Sequence, residues 1–191
     1  VMSHDGKNVY ATGLGSNAVV QFSRDKDSGT VPATAADHLT FENSYFNNFG
    51  NFTGLEDLDS IAITPDDQFI YVASSDQSTL AVLERDSQGN LSFVDSYKHQ
   101  ANQADGLLGV SNMVIDQSGQ NLYISARYQA SVTHYKIASD GLLTLQSSIA
   151  NGDPGVSGLA GAMALTLSPG QEHLYVAAAI DDAVVIFSRD N

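Results

Sequence analysis

The chain of 191 residues contains no cysteine, which excludes both a disulfide framework and a thiolate zinc site. Basic residues are scarce: 8 Lys and Arg stand against 22 Asp and Glu, a formal net charge of −14. That balance argues against a nucleic-acid partner, because binding phosphate requires clustered Lys and Arg to displace counterions, and against anionic membrane surfaces for the same reason. No apolar run approaches the roughly 20 residues of a membrane helix, so no membrane insertion is expected. Familiar catalytic signatures are missing too. There is no P-loop and no Gly-x-Ser-x-Gly elbow, and the five histidines (His4, His38, His99, His134, His173) show no metal-ligand spacing. Gly13-Leu-Gly15-Ser-Asn-Ala18 spells a dinucleotide fingerprint, but a strand follows where that chemistry needs a helix N-terminus, so it reads as a glycine-rich strand connection.

What the chain does contain is a repeat. The stretch Ile61-Ala-Ile-Thr-Pro-Asp-Asp-Gln-Phe-Ile-Tyr-Val-Ala-Ser74 has counterparts at Val1 to Tyr10, Met113 to Tyr123 and Ala164 to Tyr175. Its tyrosines (Tyr10, Tyr71, Tyr123, Tyr175) lie 61, 52 and 52 residues apart, the length of one four-stranded propeller blade. The turns His4 to Lys7, Pro65 to Gln68, Gln117 to Gln120 and Pro169 to Glu172 have hairpin chemistry, because proline presets φ and Gly or Asp tolerates positive φ. The strands after them, such as Phe69-Ile-Tyr-Val-Ala-Ser74 and Ala183-Val-Val-Ile-Phe-Ser188, are apolar on both faces, as expected where sheets stack face to face around an axis. A second turn, Arg24-Asp25 to Gly29 and Arg85-Asp86 to Gly89, precedes the outer strand. Asp25, Asp27 and Gly29 approach a calcium loop, but glycine falls at the fifth position and no distal Glu completes it, so a hairpin turn is expected.

The expected fold is all-β: one β-propeller domain over 1–191 of about four consecutive four-stranded antiparallel blades, the last incomplete. The repeats fall at about 1–53, 54–105, 106–157 and 158–191. The array is expected to be roughly half of a larger ring, with a closed four-blade ring the alternative. The strand ending at Asp190 is an exposed edge through which copies could associate.

In a propeller the second-to-third strand turns and the blade-to-blade connections share one rim, where ligands sit. Here that rim is expected to hold Asp57, Asp59 and Ser60, Asp76, Ser111 and Asn112, Arg127 and Tyr128, and Asp181 and Asp182. The first connection, His38 to Thr53, reads as an aromatic, Asn-rich insertion that accounts for most of the first interval's extra length; it contains Tyr45, Phe46, Asn47, Asn48 and Phe49. Exposed aromatics beside amides provide stacking area and directional hydrogen bonds for a glycan or peptide. The alternative use of those aromatics is to pin a long loop onto its blade.

The pattern apolar-x-apolar-Ser/Thr-Pro-Asp-Gly-x-x-apolar-Tyr-Val-Ala, then Phe-Ser-Arg-Asp, is carried by Thr64-Pro-Asp66, Ile70-Tyr-Val-Ala73, Ser168-Pro169, Leu174-Tyr-Val-Ala177, Phe22-Ser-Arg-Asp25 and Phe187-Ser-Arg-Asp190. It resembles the bacterial lactonase-like seven-bladed propellers and their kin, the Tyr-Val-Thr-Asn repeat surface proteins. The third repeat departs from it, with Ile137-Ala138 in place of Arg-Asp and Gln117 in place of Pro. The resemblance implies either a 6-phosphogluconolactonase-type enzyme or a long secreted or surface-attached protein, and these motifs belong to the scaffold, so they do not choose.

Three readings follow. The first is a non-catalytic binding segment of an extracellular, cell-surface or periplasmic protein, with a glycan, peptide or neighbouring domain on the rim. The second is a lactonase in which Asp57 and Asp59 hold a divalent ion or activate water. The third is a structural segment of a surface array. No cofactor is demanded by the sequence, and Ca2+ is the ion its carboxylates would suit.

Overall fold

The computed structural model describes residues 1–24, 39–101 and 105–189. Asp25, Asp27, Gly29, His38 and Asp190 lie outside the described residues. Among the described residues fourteen strands form four antiparallel sheets. Blade 1 holds β1 (Asn8–Gly13), β2 (Ala18–Arg24) and β3 (Leu39–Phe46), with its inner strand reduced to a bridge between Met2 and Val9. Blade 2 holds β4 (Ser60–Ile63), β5 (Phe69–Ser74), β6 (Thr79–Arg85) and β7 (Leu91–Lys98). Blade 3 holds β8 (Val110–Ile115), β9 (Asn121–Ala126), β10 (Ser131–Ile137) and β11 (Leu143–Ala150). Blade 4 holds β12 (Ala162–Leu167), β13 (His173–Ala178) and β14 (Ala183–Ser188). Each strand pairs with its sequence neighbour, so every sheet is a simple meander. Among the described residues no helix is long and apolar enough to cross a membrane.

The repeat is preserved down to single dihedrals. Gly6, Asp67, Gly119 and Gln171, at one repeat position in the first turn, all take positive φ between 61° and 71°. Asn17, Ser78, Ala130 and Asp182 do the same in the second-to-third strand turn, between 49° and 54°. Each interblade core is made where these sheets stack. All six residues of β5 are buried: Ile70 and Val72 join Tyr10, Val19 and Tyr45 of blade 1, while Phe69, Tyr71 and Ala73 join Leu122, Ile124 and Tyr135 of blade 3. Burying a Leu, Ile or Val side chain stabilises by about 1.5–3 kcal/mol, so stacking holds the array together. On blade 4 the outward face of β14 remains open, with Val184 67% and Ile186 58% exposed.

The sequence reading of the first interval needs correction. Leu39–Phe46 is not an inserted connection but the outer strand β3, paired with β2 so that Leu39 faces Arg24, as Leu91 faces Arg85 in blade 2. Arg24 and Arg85 are 61 residues apart, while Leu39 and Leu91 are 52 apart. The extra residues therefore lie between Arg24 and Leu39, outside the described residues. The aromatic-rich stretch is an outer strand whose residues are mostly exposed, so Phe41 and Phe46 show at the surface while Tyr45 is buried.

Polar side chains join the blades at the end of the strands opposite the rim. Arg85, at the end of β6, reaches back into blade 1, donating from Nε to Tyr10 Oη (2.9 Å) and from a terminal nitrogen to Asn8 Oδ1 (2.7 Å) and Asp5 Oδ2 (3.2 Å). Tyr10 in turn donates to the Gly89 carbonyl. Burial pushes the Tyr10 hydroxyl up to about 12 against the pull of Arg85. Burial also works to raise Asp5, but the Lys7 amide, the Ser3 hydroxyl and Arg85 outweigh it and hold its carboxyl at about 2. Asp67 adds a second link, accepting from the His4 and Asp5 amides at 2.6 and 2.8 Å.

Blades 3 and 4 repeat this arrangement with other residues. Arg189 donates to Tyr123 Oη (2.8 Å) and to Asp116 Oδ2 (3.1 Å), and Gln171 Oε1 accepts from the Gln117 amide.

Candidate functional site

Antiparallel pairing puts the turn after β5 and the connection before β4 at the same end of blade 2, and hydrogen bonds join the two. Ser75 donates to Asp59 Oδ2 from both hydroxyl (2.5 Å) and amide (3.3 Å). The Gln77 side chain donates from Nε2 to Asp57 Oδ2 at 3.1 Å, and Asn17 Oδ1 reaches across from blade 1 to accept from the Asp57 backbone amide. In blade 3 the Arg127 amide donates to the Gly109 carbonyl, and in blade 4 Ala160 donates to Asp181 Oδ2.

Many of the sequence-selected residues are thereby occupied in holding turns. Tyr45 is buried, donates to Gln21 Oε1 and accepts from the Leu91 amide of the next blade; Tyr97 performs the same task for Leu143. Asn47 Oδ1 accepts from the Leu55 amide, as Asn151 does from Leu159, and Asn48 takes a positive φ of 58°. Asn112 Oδ1 accepts from the Leu165 amide, linking blades 3 and 4, and Ser111 donates to the Gly109 carbonyl. A repeat position that recurs with the same bond reads as scaffold, and the signal was available in the sequence as the 52-residue recurrence of Tyr45 at Tyr97.

What remains accessible is a compact polar group between blades 2 and 3. Arg127 lies with its guanidinium 4.5 Å from the centre of the Tyr128 ring and also donates to the Tyr128 hydroxyl. Its terminal nitrogen is 3.5 Å from Asp76 Oδ1, to which Tyr128 donates at 3.3 Å. The buried Arg127 Nε has no hydrogen-bond partner among the described residues. Asp76 follows Ser75, so the line Asp59, Ser75, Asp76, Arg127, Tyr128 crosses the rim without interruption. Tyr128 needs room: a Cβ at Gly109, whose φ is +74°, would run into its ring. The side chains of Phe46 and Phe49 are 46% and 74% exposed. Asp57 and Asp59 bind different turn residues, and among the described residues no group of three His, Asp or Glu converges as a metal site would require.

Three- and four-stranded antiparallel meanders stacked face to face, with loops gathered at one rim, define a partial β-propeller. The chain belongs to the family described as "Lactonase, 7-bladed beta-propeller", which matches residues 60–191. No curated protein matches it in sequence. Among solved structures, a putative 6-phosphogluconolactonase from Bacteroides fragilis superposes with a TM-score of 0.78 at 20% identity, covering 100% of this chain and 49% of that one. A putative 6-phosphogluconolactonase from Bacteroides uniformis gives 0.76 at 16% identity, covering 100% and 50%. A periplasmic gluconolactonase from Pseudomonas aeruginosa gives 0.72 at 17% identity, covering 100% and 49%. The chain thus spans about half the length of these structures, and at such identities the likeness establishes the fold.

Proposed function

We propose that this chain contributes the rim around Asp59, Ser75, Asp76, Arg127 and Tyr128 to a site that opens a sugar-acid lactone. The observation that carries the reading is Arg127, a cation held in place at the rim by Asp76 and Tyr128. Lactone opening places negative charge on the carbonyl oxygen when water adds. A cation already oriented stabilises that charge without reorganisation. Arg127 is such a group, and it equally fits a substrate phosphate or carboxylate. Asp57 and Asp59 each keep one carboxylate oxygen free of partners among the described residues, so either can accept the proton of the attacking water. Family membership and the lactonases among the similar folds support this chemistry. The periplasmic member among them supports a location in the cell envelope.

A second reading keeps the exposed Phe46 and Phe49 as a stacking surface for a glycan or peptide. The two are separated by assaying the full-length polypeptide with glucono-1,5-lactone and 6-phosphogluconolactone in a pH-stat. The enzyme reading predicts turnover that falls by about 100-fold in kcat/KM for Arg127→Ala and is unchanged by Phe46→Ala with Phe49→Ala. Absence of turnover, with glycan capture lost in the double phenylalanine variant, selects the binding reading.

A further inference from the structure

The three blade junctions are not alike at the end opposite the rim. Junctions 1–2 and 3–4 are each filled by an arginine, Arg85 or Arg189, and by a second polar side chain, Asp67 or Gln171. At the same repeat positions junction 2–3 has Ile137 and Gly119. The third partner changes with them: the amide donors of His4 and Gln117 correspond to Pro65, which has no N–H. Where those two polar side chains are missing lies a cavity of about 660 Å³, walled by Thr64, Asp66, Phe69, Gln117, Gln120 and Ile137 among others.

The acceptor that receives Arg85 in junction 1–2 is nevertheless present here. Asp5 Oδ1 is held by Ser3 and the Lys7 amide, leaving Oδ2 for Arg85. Asp66 Oδ1 is held in the same way, by Thr64 Oγ1 at 2.6 Å and the Gln68 amide at 3.1 Å, and its Oδ2 takes no hydrogen bond from the described residues. Phe69 and Ile137 provide apolar surface where a side-chain stem would lie. Lys136, the one cation on the wall, donates to Gln120 Oε1 and is thereby held by another partner.

We infer that the cavity between blades 2 and 3 is a docking site for an arginine side chain of a protein partner, with Asp66 Oδ2 as its counter-ion and Phe69 and Ile137 against its stem. A protein side chain is the occupant because the same crevice in the two neighbouring junctions is filled by one of identical chemistry. A guanidinium also matches a carboxylate in a fixed fork geometry that an ammonium lacks. This site is independent of the rim, so the fate of the lactonase reading does not decide it.

The test uses the full-length polypeptide and two fluorescein-labelled peptides, Gly-Arg-Gly and its citrulline counterpart, which has the same shape without the charge, followed by fluorescence anisotropy. Saturable binding of the arginine peptide, at least tenfold tighter than the citrulline peptide, is expected, and Asp66→Asn should weaken it about tenfold. Ile137→Arg should fill the crevice from within, abolish binding and raise Tm by a few degrees. Equal affinity for the two peptides, no binding, or binding that survives both substitutions overturns the proposal. Asp66 is exposed at the surface, so Asp66→Asn leaves the fold intact and remains informative if Ile137→Arg fails to fold.

Discussion

Blades 1 and 2 meet through Asp67 and Arg85, whereas blades 2 and 3 meet at the same repeat positions through Gly119 and Ile137. Both junctions bury apolar faces of comparable make-up, and each carries a tyrosine that donates to a carbonyl of the next blade, Tyr10 to Gly89 and Tyr71 to Gly141. The difference is therefore confined to one end of the strands. Both junctions stack apolar faces and share the tyrosine bonds, and the arginine links fix how neighbouring blades sit at the end away from the rim. Where the links are missing, the chain keeps its stack but leaves a cavity. The substitutions are concerted: proline removes the amide that Asp67 or Gln171 would serve, glycine removes the server, and isoleucine removes the arginine. Had only one changed, a buried donor or acceptor would have been stranded, which costs about 1–3 kcal/mol.

The contrast can be broken most severely at Arg85. Arg85→Ala strands Tyr10, Asn8 and Asp5 at once and should cost about 3 kcal/mol in urea unfolding, as removal of one partner of a buried charged pair does. The corresponding change in junction 2–3, Ile137→Val, removes one methylene and should cost about 1 kcal/mol. Between them lies Asp67→Ala, which leaves the His4 and Asp5 amides unserved and puts alanine at a φ of 61°; about 2 kcal/mol is expected.

Acid should sharpen the same comparison. The Asp5 carboxyl is lowered from 3.8 to about 2 in the folded chain, so its contribution is present above pH 3.8 and is lost as pH falls toward 2. Asp67 and Asp116 are lowered too: their own burial works the other way, but hydrogen bonds from the His4 and Asp5 amides and from Asn121 and Ser118 prevail, and both act with the same sign. The linked junctions 1–2 and 3–4 should therefore loosen first in acid, with amide hydrogen exchange rising there before it rises across junction 2–3. Asp5→Asn should flatten the acid limb of the stability curve. Uniform loosening of all three junctions would count against this assignment. The smallest expected effect on stability is Arg127→Ala on the rim, within about 0.5 kcal/mol because that pair is exposed.

Much of this was legible in the sequence. The spacing of Tyr10, Tyr71, Tyr123 and Tyr175 gave the blade length, and the Pro-Asp and Asp-Gly turns gave the hairpins, because turn geometry and strand burial are local demands that residue types meet locally. That Asp59, Asp76 and Arg127 share one rim follows from antiparallel pairing alone, whereas the part of Ser75, which donates to Asp59, shows only in the structure. Other features were hidden because they are made by contacts between repeats. The Phe-Ser-Arg-Asp motif is visible, and so is its replacement at Ile137-Ala138, but that Arg85 reaches the Tyr10 hydroxyl of the preceding blade depends on how two sheets stack. The aromatics from Phe41 to Phe49 misled for a related reason. A half-exposed outer strand and a ligand-binding loop have the same composition, and only the pairing of Leu39 with Arg24 tells them apart.

The arginine links are tested most directly by nitrogen-15 NMR of the full-length polypeptide at neutral pH, following exchange of the arginine Nε–H protons with water. Arg85, buried, and Arg189, partly buried, are bonded through Nε to tyrosine oxygens and should be protected, while Arg24, exposed and touching the Met2 sulfur at 3.7 Å, should exchange rapidly. Arg85 exchanging as fast as Arg24 would contradict the account.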